Sequence, residues 1–150
     1  MQLTLYSDYS LRVLLYLSQT PKKIATILEI ANFYKISKNH LVKVAHRLAQ
    51  LGFIKTRQGH GGGLQLVYAS LELTVAEIIK KTETNFYLVE CFNKEKNNCI
   101  INQHCIIQKI LFQALHAFFT ILENYRLKDL SSSLLTQQIN LFLDSTHRGL

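Results

Sequence analysis

Apolar residues fall at helical spacing along most of this chain, interrupted once by a strand-like stretch. From about Thr4 to Gln19, Leu11, Leu14, Leu15 and Tyr16 give a broad apolar face, and Pro21 lies just past its end. The next helix is signalled by "TILE", Thr26 to Glu29, and ends near Tyr34. There the threonine can accept from the backbone N–H near Glu29 while the glutamate reaches back, a capping box. A third helix follows Ser37, a good N-cap, with Leu41, Val44, Ala45, Leu48 and Leu51 on one face and Gly52 as its stop. Phe53 to Thr56 and Leu64 to Tyr68 read as two short strands around a glycine-dense turn, Gly59 and Gly61 to Gly63. "TVAE", Thr74 to Glu77, is another capping box and opens a helix to about Lys81. Residues 83–104 are polar and irregular.

From about Cys105 to Tyr125 the pattern predicts one long helix with two apolar stripes. Ile107, Leu111, Ala114, Phe118, Ile121 and Tyr125 form the first; Ile106, Ile110, Leu115, Phe119 and Leu122 form the second. A helix apolar on two sides is either fully buried or shared with another chain. In a chain of 150 residues sharing is the better solution, so a homodimer is expected. After Leu130 the periodicity is weak and predicts no element. Three helices, a two-stranded hairpin and a further helix are the order of a winged helix-turn-helix. The expected fold is therefore mainly α, with a two-stranded wing and a long C-terminal dimerisation helix. The segments are 1–82 for the winged domain, 83–104 for a cysteine loop, 105–130 for the dimerisation helix and 131–150 for a tail.

Charge sharpens this picture. Residues 1–69 carry nine Lys/Arg against Asp8 and Glu29, whereas residues 70–150 carry eight of each sign, so the whole net charge of +7 sits in the N-terminal half. That is an electrostatic footprint for a polyanion. The longest apolar run, Val13 to Leu17, is too short to span a bilayer, and no secretory signal is evident. A soluble cytoplasmic protein is the expectation, with no membrane partner. No nucleophile–base pairing or cofactor fingerprint points to an enzyme, and no catalytic residue is assigned.

In a helix-turn-helix the first turn of the second helix meets base edges in the major groove. Here that turn follows Ser37 and holds Lys38, Asn39 and His40. Lysine can donate to guanine O6/N7, and asparagine can pair with adenine N6/N7. Lys43 and Arg47 lie away from the apolar stripe and suit phosphates, while Val42, His46 and Gln50 share that outer face. The wing, "TRQGHGGG", has no acidic residue and carries Arg57 and His60 at its tip. Gly59 and Gly61 would let its backbone approach a phosphate or enter a minor groove. The bland alternative is a solvated basic face on a tight hairpin.

All three cysteines fall in "CFNKEKNNCIINQHC", Cys91, Cys99 and Cys105. Thiolates suit iron–sulfur clusters and zinc, and three of them leave one corner to another donor: Asp8, His104, Glu90 or a small exogenous ligand. Zinc in a Cys₃His site with His104 is a second possibility, although the segment has no Cys-x-x-Cys pair. A metal-free thiol switch beside Lys94 and Lys96 is a third, and three ordinary cysteines a fourth.

The opening "MQLTLYSDYSLRVLLYLS", the stretch "ISKNHLVKVAHRLAQLGFIKTRQGHGGGLQL" and the cysteine loop before a long helix resemble, over roughly residues 1–130, a known family. It is that of the bacterial winged-helix regulators carrying iron–sulfur clusters, to which IscR and NsrR belong. Asp8 with Asn39 and His40 is most similar to the NsrR type, the nitric-oxide-sensitive repressors. The resemblance implies a cytoplasmic homodimeric repressor of a pseudo-palindromic double-stranded operator. It implies a [4Fe–4S] or [2Fe–2S] cluster on Cys91, Cys99 and Cys105, with Asp8 as a fourth ligand given across the dimer. Nitric oxide would then release the DNA. An IscR-like sensor of iron–sulfur or redox status is the alternative within the same family. Gln58 departs from the basic residue that the family's wing often carries.

Overall fold

The computed structural model describes residues 2–20, 23–59, 61–101 and 104–147. Among these described residues six α-helices and one hairpin run in the order α1 (Leu5–Gln19), α2 (Ile27–Tyr34), α3 (Lys38–Gln50), β1 (Ile54–Arg57), β2 (Gly63–Leu66), α4 (Val75–Thr82), α5 (Ile106–Glu123) and α6 (Ser133–His147). The architecture is a winged helix-turn-helix followed by a long helix and a returning C-terminal helix. The strands pair antiparallel, with Ile54 opposite Leu66 and Arg57 opposite Gly63.

One core joins these elements. Val13, Leu14, Tyr16 and Leu17 of α1 meet Ile30 of α2 and Leu41, Val44, Ala45 and Leu48 of α3, all buried. The predicted apolar stripe of α3 is thus its core face, and Lys38, Asn39, Val42, Lys43, His46, Arg47 and Gln50 are left to solvent. Between α2 and α3, Lys35 adopts a left-handed conformation (φ 55°), and the Ile36 N–H closes on the Ala31 carbonyl at 2.9 Å. This compact turn sets α3 across α2.

Two expected caps differ from the pattern. Thr26 does accept from the Glu29 N–H at 3.0 Å, but the Glu29 carboxylate accepts the buried Tyr16 hydroxyl at 2.7 Å. Burial and that carboxylate hold the Tyr16 pKa far above the ordinary tyrosine value. A tertiary bond has therefore replaced half of the local box. Ser37 sits at the N-cap of α3, yet its hydroxyl makes no capping bond; its carbonyl takes the N–H groups of His40 and Leu41. The box of α4 is complete, with Thr74 and Glu77 bonded reciprocally.

The segment after Leu130, where no element was expected, is helical. Ile139 and Leu143 of α6 are buried in the common core, and Phe142 meets Phe33 edge-on at 5.4 Å. The Thr136 hydroxyl donates to the Gln19 side chain at 3.0 Å. Exposed Leu134 and Leu141, together with the serine run, blur the helical spacing of Leu135, Ile139, Phe142 and Leu143.

Candidate nucleic-acid interface and cysteine site

The outer face of α3 is built by subtraction. Four core residues fix the helix's rotation, and helical periodicity then points the polar positions outward. Ser37, Lys38, Asn39 and His40 at its start are exposed, as are Lys43 and Arg47 further along. His40 lies against Tyr9 of α1, with ring centroids 6.3 Å apart and planes at 29°. The recognition turn is thereby in contact with the first turns of α1. An apolar concavity of about 170 Å³ lies between the two helices, lined by Leu5, Tyr6, Tyr9, His40, Lys43 and Val44.

On the hairpin, Lys55, Thr56 and Arg57 are exposed, and so are Gly59 and Gly61. Both glycines take positive φ (93° and 77°), a conformation that L side chains rarely adopt. His60 lies outside the described residues. The base of the wing is pinned to the helical core: Leu64 and Ala25 exchange backbone hydrogen bonds at 2.7 and 3.0 Å. A side chain at Gly63 would place its Cβ 2.6 Å from the Ala25 carbonyl oxygen, so that junction requires glycine.

The cysteine loop is held at its two ends. Phe92 is buried and stacks on Phe112 of α5, with centroids 4.0 Å apart and planes at 6°. Cys105 is the N-cap of α5, its sulfur accepting the Gln108 N–H at 3.4 Å. The Gln108 side chain donates to the Cys91 carbonyl at 3.2 Å, so one glutamine ties both outer cysteines to the first turn of α5. The loop's asparagines shape its turns: Asn93 Oδ1 accepts from the Glu95 N–H and Asn97 Oδ1 from the Cys99 N–H, at 3.1 and 3.0 Å. Glu90 Oε1 accepts the Asn98 N–H at 2.8 Å.

All three cysteines are free thiols; Cys99 is exposed and Cys91 and Cys105 are half-buried. Their donor chemistry and accessibility fit an iron–sulfur cluster or zinc. Among the described residues, however, no three His, Cys, Asp or Glu side chains come together as a ligand set. Asp8 is on α1, where its carboxylate forms a two-pronged pair with Arg12, both N···O distances 2.9 Å. His104 is exposed.

Sequence reasoning did not find the contacts between α1 and the root of the loop. Glu83 Oε1 accepts both the Thr4 N–H at 2.7 Å and the Thr4 hydroxyl at 3.0 Å, so a residue just past α4 caps the helix carrying Asp8. Beside it the buried Ser7 hydroxyl donates to Thr82 Oγ1 at 2.9 Å, and the Thr82 hydroxyl donates to the Ile78 carbonyl. These partners lie more than seventy positions apart and leave no local signature.

Comparison with known proteins places these features. Residues 3–133 match the Rrf2 family, described as iron-dependent transcriptional regulators. The HTH-type transcriptional regulator NsrR of Shouchella clausii is 49% identical over 131 residues, covering 87% of this chain and 88% of the relative. NsrR of Bacillus subtilis is 45% identical over 131 residues, covering 87% of this chain and 90% of the relative. Among solved structures, CymR, the global cysteine regulator of B. subtilis, superposes with a TM-score of 0.69 at 19% identity, over 87% of this chain and 95% of that one.

Proposed function

The chain belongs to the Rrf2 family of iron-dependent transcriptional regulators, and from that premise we propose that it is an NsrR-type repressor whose hold on DNA is switched by nitric oxide. What carries this is the 49% identity to an NsrR in a chain whose three free cysteines all fall in the loop that leads into a helix with no fully buried residue. On this reading α3 enters the major groove and the wing follows the backbone. Lys38 and Asn39 meet base edges, Lys43, Arg47 and Arg57 meet phosphates, and Ser37, His40, Gly59, His60 and Gly61 complete the contact.

The active form is a homodimer on a pseudo-palindromic operator. No residue of α5 is fully buried within the chain, and Ile106, Ile107, Ile110 and Ile121 are all more than half exposed. By length and composition alone α5 could cross a membrane. Instead it packs against the folded unit through Phe92–Phe112 stacking and the Lys80–Glu123 ion pair at 2.8 Å, which supports a protein partner for its remaining face. This reading places the protein in the cytoplasm, with its DNA.

Cys91, Cys99 and Cys105 are the residues that would hold a [4Fe–4S] or [2Fe–2S] cluster, with Asp8 as fourth donor from the partner subunit. Such a group supplies irons that bind nitric oxide. The chain's own part is mechanical. Asp8 can pair with Arg12, as it does here, or release it. Either state acts on the first turns of α1, where Tyr9 touches His40 of the reading helix. A change there reaches α3 through packed side chains, and DNA affinity follows the state that binds better.

The test is an absorption spectrum of protein purified without oxygen, titrated with nitric oxide while operator binding is followed. Visible cluster bands that bleach as DNA is released are the expected result. Bands that ignore nitric oxide overturn the signal; a colourless protein holding one zinc per chain overturns the cluster.

A further inference from the structure

We propose that Val42 reads sequence: its side chain packs on the C5 methyl of a thymine in the major groove, beside the adenine that Asn39 recognises. The proposal rests on α3 being the reading helix, as argued above.

Val42 is 45% exposed on a helix whose other exposed side chains, Lys38, Asn39, His40, Lys43, His46, Arg47 and Gln50, can all make hydrogen bonds. It is the one apolar group on that face. Local physics gives no reason for it, since a β-branched residue is a poorer helix former than the straight-chain polar residues around it. Val42 stands at the border of that face, beside the half-buried Ala49, but is not packed against the core. The concavity between α1 and α3 is lined by Val44, which is buried, so Val44 and not Val42 turns inward.

Its place on the face is specific. At 3.6 residues per turn Val42 lies about 40° from Lys38 on one side, and about 40° from His46 and 60° from Asn39 on the other. Along the helix axis it therefore sits between the donors nearest the helix start and those further along, and around the axis it lies toward one edge of the exposed face, with Asn39 nearer the middle. In the major groove the only apolar feature a base pair offers is the thymine methyl. Asparagine reads adenine, whose pair or neighbour supplies that methyl. A valine flanked by Asn39 and Lys38 thus matches an A·T pair read on both counts, by hydrogen bond and by methyl contact.

The test uses the cluster-loaded full chain and a duplex obtained by selecting bound sequences from random DNA. Each thymine of a half-site is replaced in turn by deoxyuridine, which removes only the methyl. The expected result is one position per half-site at which the wild-type chain binds about fourfold more weakly, the value of one buried methyl group. In Val42→Ala that thymine-to-uracil ratio falls to near one. In Asn39→Ala both duplexes bind more weakly and the ratio persists. The position is exposed, so Val42→Ala should keep the wild-type circular dichroism, and the deoxyuridine series on the wild type needs no variant at all. The proposal is overturned if no thymine methyl matters to the wild type, or if Val42→Ala keeps the ratio. If Asn39→Ala and Lys43→Ala also bind like the wild type, α3 is not the reading helix, and both assignments fall together.

Discussion

Lys43 stands on the solvent face of α3 with Arg47 one turn further on, whose guanidinium reaches Gln50 at 3.4 Å. A side chain in that position gains binding energy by releasing counterions from a phosphate, so its contribution appears in the salt dependence of binding. If about six phosphates are neutralised, log K falls against log[salt] with a slope of roughly −5. Lys43→Ala should flatten that slope by about one unit for each Lys43 on the DNA and weaken all sequences alike. An unchanged slope removes Lys43 from the interface. The outward face of α3 was legible in the sequence because four core residues at helical spacing leave no freedom in its rotation. What was not legible at this scale is where a polar side chain finds its partner. Glu29 has the local signature of a capping box but bonds to Tyr16, thirteen positions away. Ser37 has the identity of a cap but not the bond. Asp8, the fourth donor proposed for the cluster, is paired within its own chain with Arg12 one turn along the helix.

Between elements the contacts that matter join α1 to the end of α4. Glu83 supplies the carboxylate at the N-terminus of α1, satisfying the Thr4 N–H and favoured there by the helix dipole. Glu83→Ala should cost about 1 kcal/mol, the usual value of a lost cap, read as a lower urea midpoint at unchanged m-value. If its role is to seat Asp8 and Tyr9, the variant should also bind operator more weakly at a protein concentration and temperature where it is fully folded. Two other carboxylates make stability depend on acidity. Hydrogen bonds from Thr74 hold Glu77 below the usual glutamate range, and Lys128 and Arg126 do the same for Glu72. A lowered folded-state pKa means that the stabilisation is complete above the unfolded value near 4.5 and is lost as pH falls through the lower folded value. Urea midpoints should therefore drop as pH falls below about 4.5, and drop less in Glu77→Gln. Equal slopes in both proteins would remove Glu77 from this account. Element positions were legible through most of the winged domain because glycines and apolar spacing agree there, although Tyr68, read as the end of the second strand, opens a short 3₁₀ turn. They failed for α6, whose buried Ile139 and Leu143 are diluted by outward-facing leucines, and whose pairing with α1 and α2 depends on residues more than a hundred positions earlier.

At the scale of the whole molecule the chain divides its apolar surface unequally. The winged domain and α6 close on one core, and backbone bonds from Val75 to Tyr125 and from Leu127 to Leu73 return the chain to it after α5. Helix α5 itself, about 27 Å long at 1.5 Å per residue, keeps Ile106 and Ile107 about two-thirds exposed. An apolar ridge of that length is what two copies of one chain bury against each other, and a two-fold axis along it would present two reading heads to one face of DNA. The prediction is that Ile107→Asp combined with Ile110→Asp yields a folded monomer in sedimentation, because neither side chain supports the core of its own chain. Burying a carboxylate in an apolar seam is costly, so the dimer is lost before the fold is. Operator affinity should fall by at least about a hundredfold, since a monomer loses the second half-site and with it the effective concentration that linkage provides. Binding to a single half-site should stay close to that of one wild-type head. A double variant that remains dimeric would place the shared surface elsewhere, and Leu134 and Leu141 on the outer side of α6 would be the next positions to charge.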